Sequence, residues 1–259
     1  MLVVLVSGVF LVQNQYYALQ LKRAIVQDNA RSVTAMMASD LRSVAKGGVI
    51  VAESARVVVR TPLALSVICA TQGPDVFVYL DGGEAALDTT NVAGFAVRDS
   101  AGAWSYYNVT WRKLVTPGGN PAASCAAQGA DTVGASSDFI KLKRLGSYHS
   151  PAPGIGDVLM FFAEREYSFA ASALDSTSRA LYRGPYGGTL VEFVTGMDST
   201  AGFAYRTGGS TYSSSVSGPA LQDIDAIRVD AEARTHAETG GRSDVRYGWS
   251  VSIPLRNVR

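Results

Sequence analysis

Apolar residues fill the opening MLVVLVSGVFLV, broken only by Ser7 and Gly8. From Gln13 the pattern becomes amphipathic. Apolar positions fall at Ala18, Leu21, Ile25, Val33, Met37, Leu41 and Val44, mostly three or four apart. Lys22, Gln27, Asp28, Arg31, Ser32, Ser39 and Arg42 occupy much of the rest. That spacing predicts one face of a helix. No Pro or Gly lies between Gln13 and Ala45, and Gly47-Gly48 supplies a stop. A helix over roughly residues 1–45 makes a rod of about 65–70 Å. No heptad seam with flanking charges stands out, so a free coiled coil is the weaker reading.

The apolar run fits neither of two familiar segments. A secretory signal needs a positive start and a small-residue cleavage site, and a complete transmembrane helix needs about 20 apolar residues. The expectation is therefore a two-part helix. Residues 1–12, with Leu2, Val3, Val4, Leu5, Val6, Val9, Phe10 and Leu11, are apolar all round and suited to a membrane or a filament core; a buried helix of an ordinary core is the alternative. The following amphipathic part is expected to cover a sheet through Leu21, Ile25, Val33, Met37, Leu41 and Val44, increasingly toward Val44.

Past Gly48 the helical period gives way to short β-rich runs separated by turn residues. VIVAESARVVVRTPLALSVICA holds two or three runs punctuated by Pro62, and DVFVYL is another. AGFAVRDSAGAWSYYNVTWRKLV predicts a hairpin turning at Asp99–Gly102. Residues 116–137 are rich in Gly, Ala, Ser and Pro and read as a long loop. Further runs are DFIKLKRL, GDVLMFFAEREYSFAAS, RALYRG, GTLVEFVTGM, GFAYRTG, LQDIDAIRVDAEART and VRYGWSVSIPL, with STYSSSVSG a solvated loop. The predicted class is α+β, with a helical segment at 1–46 and a large antiparallel β domain at 47–259.

Composition narrows the function. The 259 residues carry a formal net charge of +1 and only 17% charged residues, a balance that gives no sign of a nucleic-acid partner, since binding through phosphates wants a basic face. The two cysteines, Cys69 and Cys125, are expected to form one disulfide in an oxidising compartment; two buried thiols are the alternative. Candidate chemistry is sparse. His149 and His236 sit in predicted loops, without the spacing of a zinc site. No nucleophile elbow accompanies any Ser, His and Asp, and Gly154-Ile155-Gly156 reads as a turn. Asp223, Asp225, Asp230 and Glu232 alternate along a strand and read as a solvated face. Trp104, Tyr106, Tyr107 and Trp111 read as sheet packing rather than a binding surface. No catalytic residue, cofactor, metal or small-molecule substrate is expected.

Three stretches together carry a resemblance. MLVVLVSGVFL is similar to the apolar helix that follows the cleavage-site glutamate of type IV pilins and of the pseudopilins of type II secretion. QDNARSVTAMMASDLRSV resembles the helix of W-type minor pilins and J-type minor pseudopilins, through Asn29, Ala30, Arg31, Met37, Asp40, Leu41 and Arg42. The closing WSVSIPLRNVR resembles their last strand, through Leu255, Arg256 and Asn257. The family's basic leader and its glutamate match no residue here, so the apolar run is expected to be the later part of an anchor helix. The resemblance implies a minor pilin-like structural subunit that assembles, initiates or caps a filament. A minor pseudopilin, or a tip-located binding module, is the alternative. Implied partners are other pilin or pseudopilin subunits through the helix, and the inner membrane before assembly. The implied location is a single-pass inner-membrane anchor with a periplasmic domain, then a surface filament.

Overall fold

The computed structural model describes residues 2–73, 75–79, 91–99, 102–114, 120–127, 139–144, 153–235 and 245–255. Helix α1 runs unbroken over Leu2–Ser43, and side chains along it are described from Gln13 onward apart from those of Gln15, Lys22 and Val26. It stops ahead of Gly47, whose φ of 77° only glycine adopts readily; the Gly48 N–H donates to the Ala45 carbonyl at 2.9 Å and closes the turn.

The strands are β1 (Val49–Glu53), β2 (Arg56–Gln72), β3 (Asp75–Tyr79), β4 (Gly94–Arg98), β5 (Trp104–Leu114), β6 (Phe139–Arg144), β7 (Val158–Ala171), β8 (Arg179–Pro185), β9 (Val191–Met197), β10 (Gly202–Arg206), β11 (Ala226–Thr235) and β12 (Val245–Pro254). A short helix, α2 (Asn120–Ala127), lies where a loop is expected. Strands make up 51% of the structure. The predicted α+β class, a long helix packed on a sheet domain, is therefore corrected to mostly β and antiparallel. An unbroken helical period is conspicuous in a sequence, whereas the strands are individually short and collectively larger.

The chain forms two compact units. One comprises Met1–Ser43, Val49–Val59 and Glu166–Arg259; the other comprises Val44–Gly48 and Arg60–Arg165. In the second unit the strand order is β2-β3-β6-β5-β4-β7, and β7 pairs back onto β2, so the six strands form a ring. The Ile68 N–H donates to Asp157 O at 3.0 Å, and the Gly156 N–H donates to Ile68 O at 2.8 Å. Closure leaves no lateral edge for a foreign strand. Inside the ring Ile68, Val76, Val78, Phe95, Leu159 and Phe161 are buried, and the Phe95 and Tyr107 rings stack at 5.1 Å.

Pro62 does not punctuate; it lies within β2. There, on one edge, β2 leaves β1, paired through Val59, before meeting β3 at Val67, so on that edge no rung needs the missing N–H. The hairpin turn is as expected. Arg98 faces Trp104, and Asp99 Oδ1 accepts from the Ala103 N–H at 2.8 Å. The aromatic hairpin packs inward: Tyr106 meets Phe162 edge-on at 5.6 Å, and its hydroxyl donates to Lys46 O at 3.2 Å. Burial pushes the Tyr106 hydroxyl up to about 12, against the opposing pull of Arg60. The Trp111 side chain lies outside the described residues.

Cys69 of β2 and Cys125 of α2 form the expected disulfide, with Cα atoms 4.4 Å apart. Both are buried against Ala70 and Phe77. The bond closes a sequence separation of 56 residues, and loop-closure entropy then assigns it about 4 kcal/mol. Replacing both cysteines with serine should lower the unfolding free energy by about that amount in denaturant titration, with the second unit's strands losing hydrogen-exchange protection first.

Candidate functional site: helix α1 and its latch

Within the first unit α1 lies against β11 and β12. Ala30, Val33, Met37, Ala38 and Leu41 are buried, and Val33, Met37 and Leu41 have no exposed surface. These positions repeat at three and four residues, so they share one face. Val44, also fully buried, belongs to the second unit. Leu21 and Ile25 are placed differently from the expectation. They are 53% and 50% exposed, as are Tyr16 at 62% and Tyr17 at 70%. The covered face thus begins at Ala30, because β11 and β12 lie under the last turns of the helix. The side chains of Leu2, Val3, Val4, Leu5, Val6, Val9, Phe10 and Leu11 lie outside the described residues.

One polar contact fixes the orientation of α1. Asp40 flanks the apolar face, beside Met37 and Leu41. Its Oδ2 accepts from Arg183 Nη2 of β8 at 2.6 Å and from the hydroxyl of Tyr167 of β7. Tyr167 is fully buried, and the Asp40 and Arg183 side chains are 22% and 30% exposed. A carboxylate this withdrawn from water needs such partners. Burial raises the Tyr167 hydroxyl well above its ordinary range, and Asp40 raises it further. Ser43 Oγ donates to the Asp40 carbonyl at 2.6 Å and occupies a last-turn acceptor. Tyr167 and Arg183 are not singled out by the sequence. The signal that points to them is a carboxylate at position 40, next to Leu41 and three residues from Met37, which requires a donor elsewhere.

A groove of about 700 Å³ flanks the docked helix. Ala30, Thr34 and Ala38 form one wall, with Arg31 and Arg42 along it, and Tyr247, Trp249 and Val251 of β12 form the other. Among the described residues no helix is long and apolar enough to cross a membrane. The expected single-pass inner-membrane location is corrected accordingly: after Val12 the helix carries Lys22, Arg23, Asp28 and Arg31, each expensive in a bilayer. Asp225, Asp230 and Glu232 do not form a merely solvated face. They pair with Arg206 at 2.7 Å, Arg228 at 2.8 Å and Arg246 at 3.5 Å. Asp223 is exposed in the 3₁₀ turn Gly218–Asp223. His149, His236, Arg256 and Asn257 lie outside the described residues.

Two outcomes are expected of the latch. Asp40→Ala should destabilise the protein by about 2 kcal/mol, below the roughly 3–5 of a fully buried pair because both partners keep some exposure; thermal unfolding reads it. The second concerns pH. Tyr167, Tyr106 and Tyr205 all have hydroxyls raised above their unfolded value of about 10. The folded state then holds protons that the unfolded state releases, so their contribution is complete below about pH 10 and falls as pH rises through the folded values. Melting temperature should drop steeply above pH 10, and Tyr167→Phe should make the drop shallower.

Comparison of the chain with family models, with curated proteins and with solved structures finds no match.

Proposed function

We propose that the chain is a structural subunit of a filament-type assembly, in the minor pilin-like role that the Asn29–Arg42 pattern implies, and that it engages its partner subunits along α1. The observation that carries this reading is the division of α1. From Ala30 to Leu41 the helix buries a face in its own unit and is tied down by Asp40. Upstream, Tyr17, Leu21 and Ile25 repeat every four residues on one side and stay half or more exposed. A continuous apolar stripe on a rigidly held helix is suited to packing against another helix. The groove beside Ala30, Thr34 and Ala38 lies on another side of the helix from that stripe.

Several residues of the pattern have a place in the packing of the first unit. Met37 and Leu41 of the pattern are core, Asp40 is the latch, and Arg31 and Arg42 line the groove. The pattern therefore reads as a fold determinant and an assembly surface on one helix. A protein that works through such a surface needs no reaction centre.

The test separates the two halves. Ile25→Asp and Leu21→Asp should leave the melting temperature within about a degree of wild type, since exposed changes cost little. They should abolish cross-linking from a photoreactive residue placed at Tyr17 to other helical subunits in producing cells. Met37→Asp should instead prevent folding, because it buries a charge. If Tyr17 cross-links survive both charged variants, or if all three variants destabilise equally, the assembly reading is wrong.

A further inference from the structure

The β10–β11–β12 sheet has a second face, on the side of the strands opposite Tyr247, Trp249 and Val251, because successive side chains alternate. On that side Ala204 stands beside Arg228 and Gly202 beside Asp230, while Ser252 and Ser250 follow on β12. They belong to a patch with a cavity of about 530 Å³, whose lining includes Arg228, Asp230, Tyr212, Thr200, Ser214 and Ala204. That volume is within the range of small-molecule sites.

Of the three charges in the cavity lining, Arg228 and Asp230 form an ion pair and Arg179 leaves one positive charge in excess. Arg228 Nε donates to Asp230 Oδ2 at 2.8 Å, and Ser250 Oγ donates to Asp230 Oδ1 at 2.6 Å. The second cation, Arg179, is occupied by backbone: it donates to the carbonyls of Ser199 at 3.2 Å and Ala201 at 3.0 Å, and to that of Phe169. A phosphate or carboxylate ligand wants a cation with its donors turned toward it, whereas Arg179 turns Nη1 and Nη2 to backbone carbonyls and Arg228 is paired with Asp230. The remaining polar equipment is mixed. Arg228 offers planar donors, Asp230 offers acceptors, and Ser214 and Thr200 bring hydroxyls. Ala204 and Gly202 bring no polar side chain to the lining.

The rim is already in place. Tyr212 and Ser214 come from the segment between β10 and the 3₁₀ turn. Tyr205 and Ser213 exchange backbone hydrogen bonds of 2.8 and 2.9 Å, and the Val216 N–H donates to Ala52 O at 3.0 Å. The Arg228 guanidinium lies 4.6 Å over the Tyr212 ring, and the Tyr212 hydroxyl meets Ser252 Oγ at 2.5 Å. A site held in this way loses little freedom on binding.

We propose that this cavity binds a neutral saccharide unit, with Arg228 and Asp230 hydrogen-bonding adjacent ring hydroxyls and Ser214 and Thr200 meeting others. A neutral ring bearing several hydroxyls satisfies donors and acceptors together and adds no charge. The inference is independent of assembly through α1.

The test uses the full chain and ligand-observed NMR, with a panel of neutral methyl hexosides and methyl N-acetylhexosaminides, and with glucuronate and inorganic phosphate as charged probes. At least one neutral glycoside should bind. Its affinity should fall about tenfold or more in Arg228→Lys, which keeps the charge but loses the planar donor set. Ser214→Trp, an exposed change on the strap, should fill the mouth and remove binding while the melting temperature holds. Three results would overturn the proposal: no neutral glycoside binding, binding unchanged in Ser214→Trp, or phosphate or glucuronate binding more tightly than every neutral probe.

Discussion

The contact of Asp40 with Arg183 and Tyr167 is the constraint on which the first unit depends. Apolar packing alone specifies the docked face of α1 poorly. Ala30, Val33, Met37, Ala38 and Leu41 form a stripe of mixed sizes, and hydrophobic attraction is non-directional. A helix resting on such a stripe is free to slide or to roll toward its next row. A carboxylate that must meet two donors on two different strands is not free in this way. Displacement by one residue, about 1.5 Å along the axis, breaks a 2.6 Å ion pair and strands the charge against core. Packing supplies most of the affinity between helix and strands, and Asp40 supplies the register.

The second unit reaches definition by another route. Its strands close on themselves, so their backbone groups are paired by topology and need no covering helix. Closure also explains the crowding at its aromatic wall. Arg60 sits 4.6 Å over the Tyr106 ring and 5.2 Å over Phe162 while its Nε donates to Glu164 at 3.4 Å. The cation lies against both rings and is paired at once, which accommodates a guanidinium among rings without an unpaired charge. The disulfide adds the same kind of constraint from outside the ladders, by fastening α2 to β2.

How much of this is legible in the sequence follows from the range of each interaction. The extent of α1 and the Asp99–Gly102 turn are local, and the period and turn chemistry show both. The cysteines are legible because there are only two. Pairings at long separation are not. Nothing local to Asp40 names a partner 143 residues away, and nothing in β2 announces that β7 will close the ring. Pro62 misleads for the same reason: a proline breaks a strand only where its N–H is needed, and need is set by the neighbouring strand. The balance between classes misleads as well, since a helix declares itself by a long period and a strand by a few residues.

The exposed upstream stretch of α1 completes the argument. Isolated helices are marginal in water because nucleation is costly, while extension from an existing turn adds a hydrogen bond per residue fixed. The docked turns from Ala30 to Leu41 are such a nucleus, held in place by the latch. Residues from Gln13 to Asn29 inherit helical order from it although the described side chains among them are half-buried or exposed, and the absence of Pro and Gly lets the order propagate. Tyr17, Leu21 and Ile25 are thereby presented in a fixed geometry at no cost in core. Had those residues been folded back onto β11 and β12, they would have stabilised the chain and offered nothing outward. Half-exposed apolar side chains on an ordered helix are a loss of stability within the chain, which is recovered only when another surface covers them.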